Sequence, residues 1–386
     1  MAPVPPSKRI SSIDALRGIA LFGVLAINLE HAFRVSIFER FLPGSMDRGV
    51  DVAIDAFLYV FIDLKAFALF SLLFGLGLAM QYDRLATHAR RAELLIRRLL
   101  ALLAFGVIHL FLIWNGDILT EYAVAGLIVL PVLFGPTWLL GVAAAGCLLI
   151  YIIMPLLPPP VSFPAEAGLA SLVQAANHAY GTGSFRAVLA FRIHEVSSIF
   201  PLHVFIMPRT LGLFMLGAVI WRTGLVRNAD HHSGALWTAA ALLIGIGLAF
   251  TLGTSARWFS GWPSLGWLDG PATQASTIIL PLGYGALVLA IGTIDRGRFL
   301  GWFEPIGRLA FTNYVTQSVL LGWIFYGYGL GLFGKIGPAN GMMLVVAVYL
   351  GQMLLSFWWL KRFRYGPLEW LWRGLTYGER PLFRVA

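Results

Sequence analysis

The sequence predicts an all-α, polytopic membrane protein that forms one integral-membrane domain over residues 1–386. Three observations predict it: 58% of the 386 residues are hydrophobic, only 12% are Asp, Glu, Lys or Arg, and the mean hydropathy is +0.78. A soluble domain takes about a quarter of its residues from those four charged types. The lipid bilayer is therefore the expected partner of this chain.

The apolar residues fall into segments long enough to cross a bilayer. Crossing about 30 Å of hydrocarbon takes roughly 20 helical residues, and about ten such segments follow one another along the chain. The predicted spans are 12–31, 57–80, 99–114, 118–135, 137–157, 199–221, 235–253, 273–292, 305–326 and 341–360. Residues 186–198 place Arg192 and Glu195 among apolar positions. That mixture predicts either an interfacial helix or an eleventh span.

The distribution of basic residues predicts the orientation of the chain. With the N-terminus inside, 17 of the 28 Lys and Arg residues fall in inner segments and 7 in outer ones. Cytoplasmic loops carry such an excess, so both termini are predicted to be cytoplasmic. Residues 365–380 carry Trp370 and Trp372 among basic residues. Because such aromatic residues favour the headgroup layer, the tail is predicted to be an interfacial helix.

Composition and motifs exclude several classes of function. The single cysteine, Cys147, excludes an internal disulfide framework, a thiolate zinc site and a redox pair. No metal site is predicted, and the sequence has no GxSxG, HExxH or P-loop motif of the kind that marks serine hydrolases, zinc proteases and NTPases. The net charge of +9 follows membrane topology and forms no groove-sized basic patch, so no nucleic-acid partner is predicted.

Polar residues inside the first predicted span indicate either an ion pair or a substrate path. An ionisable side chain near the bilayer centre costs about 2.5–3.5 kcal/mol, so it marks an ion pair, a wet cavity or a functional site. Asp14, Arg17 and Asn28 share one helical face, with Asn28 roughly 21 Å beyond Asp14. This pattern predicts a salt bridge and an interhelical amide, or else a substrate path. Asp14 and Arg17 are therefore candidate substrate-binding residues.

His109 and Asp117 are the candidate catalytic pair. His109 lies near the outer end of the third span, and Asp117 follows in the turn WNGDILTEY. Eight residues correspond to an offset of roughly 80° on a helix, so the two side chains are expected to share a cavity rather than touch. As a catalyst, His109 is expected to be a general base that Asp117 orients. The alternatives are a packing histidine and a turn aspartate.

Further candidate substrate-binding residues are polar groups that lie in or beside predicted spans: Asp63, Lys65, Glu121, Arg209, Asn313 and Gln317. Asp63 and Lys65 are two residues apart and do not face one another on a helix, so each needs a partner from another element. Asn313 and Gln317 are four apart on one face. Amides at that spacing more commonly join helices than bind substrate.

Four segments carry a family resemblance: RISSIDALRGIALFGVLAIN, LFSLLFGLGLAM, GVIHLFLIWNGDILTEYAVAGL, and LAFTNYVTQSVL together with GPLEWLWRGLTYG. They resemble the YeiB-like family of bacterial polytopic membrane proteins, a domain of unknown function. The resemblance implies a multi-pass protein of the bacterial inner (plasma) membrane. The family is similar, more distantly, to transmembrane acyltransferases such as heparan-glucosaminide N-acetyltransferase, which moves an acetyl group from cytosolic acetyl-CoA to a sugar on the far side.

This more distant similarity implies a catalytic role for Asn28, which matches an asparagine late in the corresponding first helix of that enzyme. The enzyme's following loop also holds a catalytic histidine, but this chain reads SIFERFLPGS there. His31 is close to the place without matching it. His109 would therefore have to take over the role of the missing histidine.

Two functions are weighed from these observations. The first is an acyltransferase that moves an acyl group from cytosolic acetyl-CoA, or another acyl-CoA, to a small-molecule acceptor, a sugar or a lipid, at the outer face. Basic residues from Arg84 to Arg98 would attract the donor, and Asn28 would stabilise the oxyanion. The second is a transporter or exporter of a small or amphipathic solute, with Asp63, Lys65 and Arg209 along its path. A scaffold role predicts neither activity.

Overall fold

The computed structural model describes residues 10–42, 49–254, 266–295 and 297–385. Within these ranges the chain forms fourteen α-helices and no β-strand, which confirms the all-α class. The helices are α1 Ser11–Asn28, α2 Val50–Phe61, α3 Lys65–Arg84, α4 Arg91–Ile108, α5 Leu119–Leu133, α6 Thr137–Ile153, α7 Glu166–Thr182, α8 Phe185–Arg222, α9 Ser233–Gly253, α10 Asp269–Asp295, α11 Glu304–Arg308, α12 Ala310–Phe325, α13 Pro338–Leu360 and α14 Pro367–Tyr377. Five basic residues that entered the charge count lie outside the described residues: Lys8, Arg9, Arg48, Arg257 and Arg296.

The multi-pass architecture is confirmed. In the described part of the chain, eight helical stretches are long and apolar enough to cross a membrane. They are Ser11–Phe33, Val50–Arg84, Arg91–Ile113, Thr137–Leu156, Phe185–Arg222, Ala229–Gly253, Gly266–Asp295 and Pro338–Leu360. The predicted spans 118–135 and 305–326 correspond to shorter helices, α5 with 15 residues and α12 with 16. The number of ten crossings therefore stays a prediction.

Residues 186–198 are neither a separate interfacial helix nor an extra span. They form the first half of α8, a continuous helix of 38 residues, which is about 57 Å long and so nearly twice the thickness of the hydrocarbon layer. Neither alternative holds because the helix is continuous, and its Arg192 and Glu195 side chains are buried in protein. The Glu195 carboxylate accepts hydrogen bonds from Asn115 and Tyr180, and Arg192 Nη1 donates to Phe111 O at 3.3 Å.

The predicted span 57–80 is two helices, because the chain breaks between α2 and α3. Leu64 has a left-handed backbone, with φ of 58°. The break is stabilised because its polar groups have partners: Lys65 Nζ donates to Tyr59 O at 2.5 Å, and Asp63 N donates to Leu58 O at 2.7 Å. The last carbonyls of a helix lack intrahelical partners, so a nearby lysine is a favourable cap.

α1 lies at the centre of the bundle, in contact with α3, α10, α11, α12 and α13. At its start, Ser11 Oγ donates to Glu304 Oε2 at 2.5 Å. The C-terminal tail lies at the same end, where α14 packs against α4 and Trp372 Nε1 donates to Arg98 O at 2.9 Å. The start of α1 and the tail therefore lie on one side of the bundle, as two cytoplasmic termini require. Which side this is, and the interfacial position of α14, stay predictions.

α3 and α8 cross with their backbones almost in contact. A Cβ atom on Gly75 would overlap Phe214 O, and one on Gly217 would overlap Leu72 O. Small residues at such crossings let membrane helices approach closely. Because helices surrounded by lipid gain no hydrophobic free energy from association, this close packing is what holds them together. The crossing holds the middle of α3 against the last third of α8.

We expect Gly217→Ala to lower the free energy of unfolding by about 1–3 kcal/mol, since the added methyl group would force two backbones apart. Gly245→Ala in α9 is the matched control, because a Cβ there has no neighbour within 4 Å. Thermal unfolding in detergent, followed by tryptophan fluorescence, measures both variants. Equal midpoints for the two would contradict the close crossing.

Candidate functional site

A cavity lined by arginines lies where the start of α1 meets α4, α11 and α14. This basic cavity has two adjoining lobes of about 230 and 260 Å³. Its charged lining residues are Asp14, Arg17, Arg98, Arg308, Arg364, Glu369 and Arg373. Five guanidinium groups thus face two carboxylates, and a cleft of one predominant sign concentrates ligands of the opposite charge. The cavity is suited to an anion.

Both carboxylates of the basic cavity already have partners. Asp14 Oδ1 accepts from Arg17 Nη1 at 2.9 Å, which confirms the predicted salt bridge. Glu369 Oε1 accepts from the backbone N–H of Phe311 and Thr312 at the start of α12. Burial raises the pKa of the Glu369 carboxyl, and the hydrogen bonds from Thr312 and Phe311 oppose that rise.

Three of the cavity's arginines, Arg98, Arg364 and Arg373, have no carboxylate partner among the described residues. The Arg98 guanidinium stacks 3.7 Å from the ring centre of Trp372, and Arg373 lies 4.7 Å from that of Tyr365. Neither forms an ion pair with a carboxylate in the described ranges. Their charge is thus available to a ligand.

A second cavity, the histidine chamber, lies at the other end of α1. Its volume is about 340 Å³, within the range of small-molecule sites. The wall is formed by the end of α1, the break between α2 and α3, the start of α5, and the middle of α8, with contributions from α6 and α10. The polar lining residues are Asn28, His31, Arg40, Ser71, Asp117, Glu121, Tyr122, Tyr151, His203, Arg209, Thr210 and Gln274.

His203 and Glu121 form a dyad on the wall of the histidine chamber. His203 Nδ1 lies 2.9 Å from Glu121 Oε2, and Thr210 Oγ1 donates to Glu121 Oε1 at 2.6 Å. The His203 side chain is 30% exposed, whereas that of Glu121 is buried. A histidine whose Nδ1 is held by a carboxylate presents Nε2 to its surroundings, which is the arrangement of a general base.

Asn28 also lines the chamber. It is the last residue of α1 and is followed by a π-helical turn, Leu29–Phe33. Insertions of this kind occur often at functional sites. Its side-chain amide has no hydrogen-bond partner in the described part of the chain. The amide is therefore free to donate to a ligand.

His109 and Asp117 contact each other behind the chamber wall. His109 Nδ1 lies 2.8 Å from Asp117 Oδ1, but the ring nitrogen does not point at the oxygen, and Nε2 has no partner among the described residues. His109 is 1% exposed and lines neither cavity, whereas Asp117 reaches the chamber. The expectation that they would not touch was wrong. A π-helical turn, His109–Ile113, and a non-helical turn separate them, so helical angles do not apply.

Asp117 also caps the start of α5. Its Oδ1 accepts from Leu119 N at 3.1 Å and its Oδ2 from Thr120 N at 2.7 Å. The first amides of a helix have no intrahelical partners, and a carboxylate there also suits the positive end of the helix dipole. Asp117 therefore fixes where α5 begins.

A thin wall separates the two cavities. Ile118 and Tyr122, from the first turn of α5, line both of them. Tyr122 Oη donates to Phe67 O at 2.9 Å, and Ile118 N donates to Tyr314 Oη at 3.4 Å. The start of α5 is thus the partition between a basic cavity and a chamber with a histidine dyad.

The other candidate substrate-binding residues are placed differently. Asp63 forms an ion pair with Arg40 at 2.6 Å, and Lys65 caps α2 as described above, so both hold the break beside the chamber. Asn313 Nδ2 donates to Ser356 Oγ at 3.0 Å, and Gln317 Nε2 donates to Gln352 Oε1 at 2.7 Å. These two amides join α12 to α13, the more common role of such pairs.

Sequence analysis missed His203 and the C-terminal arginines. Glu121 is 82 residues from His203, and no local pattern indicates that they meet. Arg364 and Arg373 were counted as topology signals and Arg308 as the end of a span, yet all three join Arg98 around one cavity. One signal was present: Arg373 lies in the segment GPLEWLWRGLTYG and Arg364 flanks it.

The fold and its two cavities define a multi-pass α-helical membrane protein with a partitioned interior. A family model described as "Protein of unknown function (DUF418)" matches residues 220–379. The chain is 34% identical to "Uncharacterized protein YxaH" of Bacillus subtilis (strain 168), over 98% of this chain and 96% of that protein. It is 28% identical to "Uncharacterized protein YeiB" of Escherichia coli (strain K12), over 96% of each.

It is also 28% identical to "Uncharacterized 39.9 kDa protein in amylase 3'region" of Bacillus acidopullulyticus, over 98% of this chain and 97% of that protein. The chain belongs to the YeiB-like family of membrane proteins of unknown function. None of these descriptions names an activity. The similarity to acyltransferases therefore stays a prediction.

We expect Asp117→Ala to lower the free energy of unfolding by about 1 kcal/mol, because α5 loses its cap. Asp117→Asn retains an acceptor oxygen and is expected to lose less. Thermal unfolding in detergent measures both, with Glu93→Ala, an exposed acidic residue in the first turn of α4, as the control. A midpoint for Asp117→Ala equal to that of Glu93→Ala would contradict the capping role.

Proposed function

We propose that the protein is an acyltransferase of the bacterial inner membrane that moves an acyl group from a cytosolic acyl-CoA to an acceptor at the outer face. The observation that carries the proposal is the partition: Ile118 and Tyr122 line both the basic cavity and the histidine chamber. A donor on one side and an acceptor on the other would meet at this wall. The bias of basic residues along the chain supports a cytoplasmic position for the basic cavity.

The basic cavity supports a donor that carries phosphate groups. Guanidinium groups match phosphate oxygens with paired, charge-assisted hydrogen bonds. Arg98 and Arg373 have no carboxylate partner within the described ranges, so their charge would be matched by the donor. The lobe that reaches Ile118 is lined mainly by apolar side chains such as Val24, Phe70 and Leu102. That lining suits the thin, flexible part of an acyl-CoA that ends in the thioester.

The histidine chamber supports the chemistry of transfer. In the proposed reaction His203 Nε2 takes the proton from an acceptor hydroxyl or amine as the acceptor atom attacks the thioester carbonyl carbon. The Asn28 amide donates to the oxygen that becomes negative. The carbon–sulfur bond then breaks, the acyl group stays on the acceptor, and the leaving thiolate receives a proton from the imidazolium, directly or through water.

His109 fits a positioning role better than that of a base in this proposal. It lines neither cavity, and its ring packs 5.2 Å from the ring centre of Tyr314 while its Nδ1 meets Asp117. Because Asp117 caps α5, the contact between His109 and Asp117 would help to hold the wall between donor and acceptor in position. Its loss would displace the wall rather than remove a proton acceptor.

Transport of an amphipathic solute is the second candidate, and the break between α2 and α3 favours it. Interrupted helices that line a cavity near the middle of the bundle are typical of secondary transporters. Leu64, within the break, lines the histidine chamber. Transport would need the wall at Ile118 and Tyr122 to open, whereas acyl transfer needs contact across it.

We expect His203→Gln to lower kcat for acyl transfer by about 100-fold or more, the usual contribution of a general base. His109→Gln is expected to lower kcat less and to lower the unfolding midpoint as well. Release of free thiol from labelled acetyl-CoA, with candidate sugars and lipids as acceptors, measures the activity of purified protein in nanodiscs. Unchanged kcat in a folded His203→Gln variant would remove His203 from the mechanism.

The same preparation tests transport. Solute flux in proteoliposomes without thiol release, abolished by Asp63→Asn, would support a transporter and overturn the acyltransferase. Flux without acyl transfer is the outcome that the second candidate requires, since a carrier moves its substrate unchanged.

We expect Arg373→Gln and Arg98→Gln each to raise KM for the acyl-CoA about tenfold, equivalent to about 1.4 kcal/mol, with little change in kcat. The reason is that each removes a charge that contacts the donor before the reaction. Arg90→Gln is the matched control, because Arg90 is exposed and pairs with Glu93. Equal KM values for Arg373→Gln, Arg98→Gln and Arg90→Gln would show that the donor does not bind in the basic cavity.

A further inference from the structure

Arg209 is a buried cation without a counterion of its own. Its side chain is 1% exposed, Nη1 donates to Leu64 O at 3.3 Å, and Nε has no hydrogen-bond partner. It forms no ion pair with a carboxylate in the part of the chain that the structure describes. A buried, unpaired charge is costly in a membrane protein, so such a residue marks a ligand or a path.

The carboxylates around Arg209 are already engaged. Glu121 accepts from His203 and Thr210, Asp63 pairs with Arg40, and Asp117 caps α5. Arg209 nevertheless lines the histidine chamber. None of these carboxylates lies within ion-pair distance of Arg209, so an acid group bound in the chamber would be its direct counterion.

Much of the remaining wall is apolar. One turn after another of α8 contributes Ile199, Leu202, Phe205 and Ile206 to the chamber. Across from them Gln274, in α10, also lines it and has a buried Oε1 without a hydrogen-bond partner among the described residues. A ligand that satisfies all of these groups has a hydrocarbon part, an acid group and a hydrogen-bond donor.

We infer that the histidine chamber binds an amphipathic acid, a lipid with a phosphate or carboxylate headgroup. Its acid group binds Arg209, its hydrocarbon chain lies along the apolar residues of α8, and a hydroxyl or amine of the headgroup reaches His203. This inference rests on the proposed function in one respect, that the bound lipid is the acyl acceptor. Arg209 is the sixth residue after His203 in α8, so the reacting group and the acid group lie roughly 9 Å apart along the helix.

Binding of three probes tests this inference in nanodiscs of zwitterionic lipid. The probes are a monoacylglycerol phosphate, the matched monoacylglycerol without phosphate, and glycerol phosphate without the chain. Native mass spectrometry or a ligand-induced shift of the unfolding midpoint gives the dissociation constants. We expect the lipid phosphate to bind at least tenfold more tightly than either partial probe, because only it matches both the guanidinium and the apolar wall.

Substitution of Arg209 locates the binding. Arg209→Gln is expected to weaken binding of the lipid phosphate at least tenfold and to leave the uncharged lipid unaffected, while Arg209→Lys retains part of the preference. Arg186→Gln, an exposed position at the start of the same helix, is the control. If Arg209→Gln does not fold, the probe comparison on the natural protein still decides. Equal binding of charged and uncharged lipid, or of glycerol phosphate and the lipid phosphate, would overturn the inference.

A thiol-release assay separates this inference from the proposed function. Arg209-dependent binding of the lipid phosphate without thiol release would overturn the acyltransferase and leave the ligand class standing. Efficient thiol release with an uncharged acceptor, unchanged in Arg209→Gln, would support the acyltransferase and overturn the inferred ligand class.

Discussion

Where a helix is interrupted, the freed backbone N–H and C=O groups need partners, and in the described part of this chain two interruptions lie beside the histidine chamber. At the break between α2 and α3, Lys65 bonds Tyr59 O and Arg209 bonds Leu64 O. At the start of α5, Asp117 bonds two backbone amides. Charged side chains in the membrane thus make irregular backbone possible here. The irregular backbone in turn opens the space that the histidine chamber occupies.

The same constraint connects the C-terminal tail to the core. The first backbone amides of α12 lack intrahelical partners. The Glu369 carboxylate of α14 accepts hydrogen bonds from two of them. These bonds hold α14 against α12, where Arg373 and Trp372 line the basic cavity together with residues from the start of α1. The tail is therefore part of a binding site as well as a surface helix. The family model that matches residues 220–379 includes the tail helix and the arginines that it contributes.

The fold class and the general place of the polar residues could be predicted from the sequence, because hydropathy and helical geometry are local. The pair Asp14–Arg17 follows from a spacing of three residues on one helix. The dyad of Glu121 and His203 could not be predicted, since it depends on how α5 and α8 pack. The break at Leu64 was missed for another reason: Arg209 and Lys65 stabilise it through side-chain hydrogen bonds to backbone carbonyls, which no hydropathy pattern records.

The wall at Ile118 and Tyr122 separates the basic cavity from the histidine chamber, whereas a continuous channel would join them. Water in a continuous path would hydrolyse a thioester and conduct ions, whereas a site that excludes water strengthens the electrostatic interactions within it. Tyr122 Oη is held between Phe67 O and Ser71 Oγ, so the wall is a fixed part of the core. In the proposed acyl transfer, a small acyl group would need only to pass from one side of Ile118 and Tyr122 to the other. Such a step requires local movement of two side chains, while passage of a whole solute would require α5 itself to move with its cap and its bonds to α3 and α12.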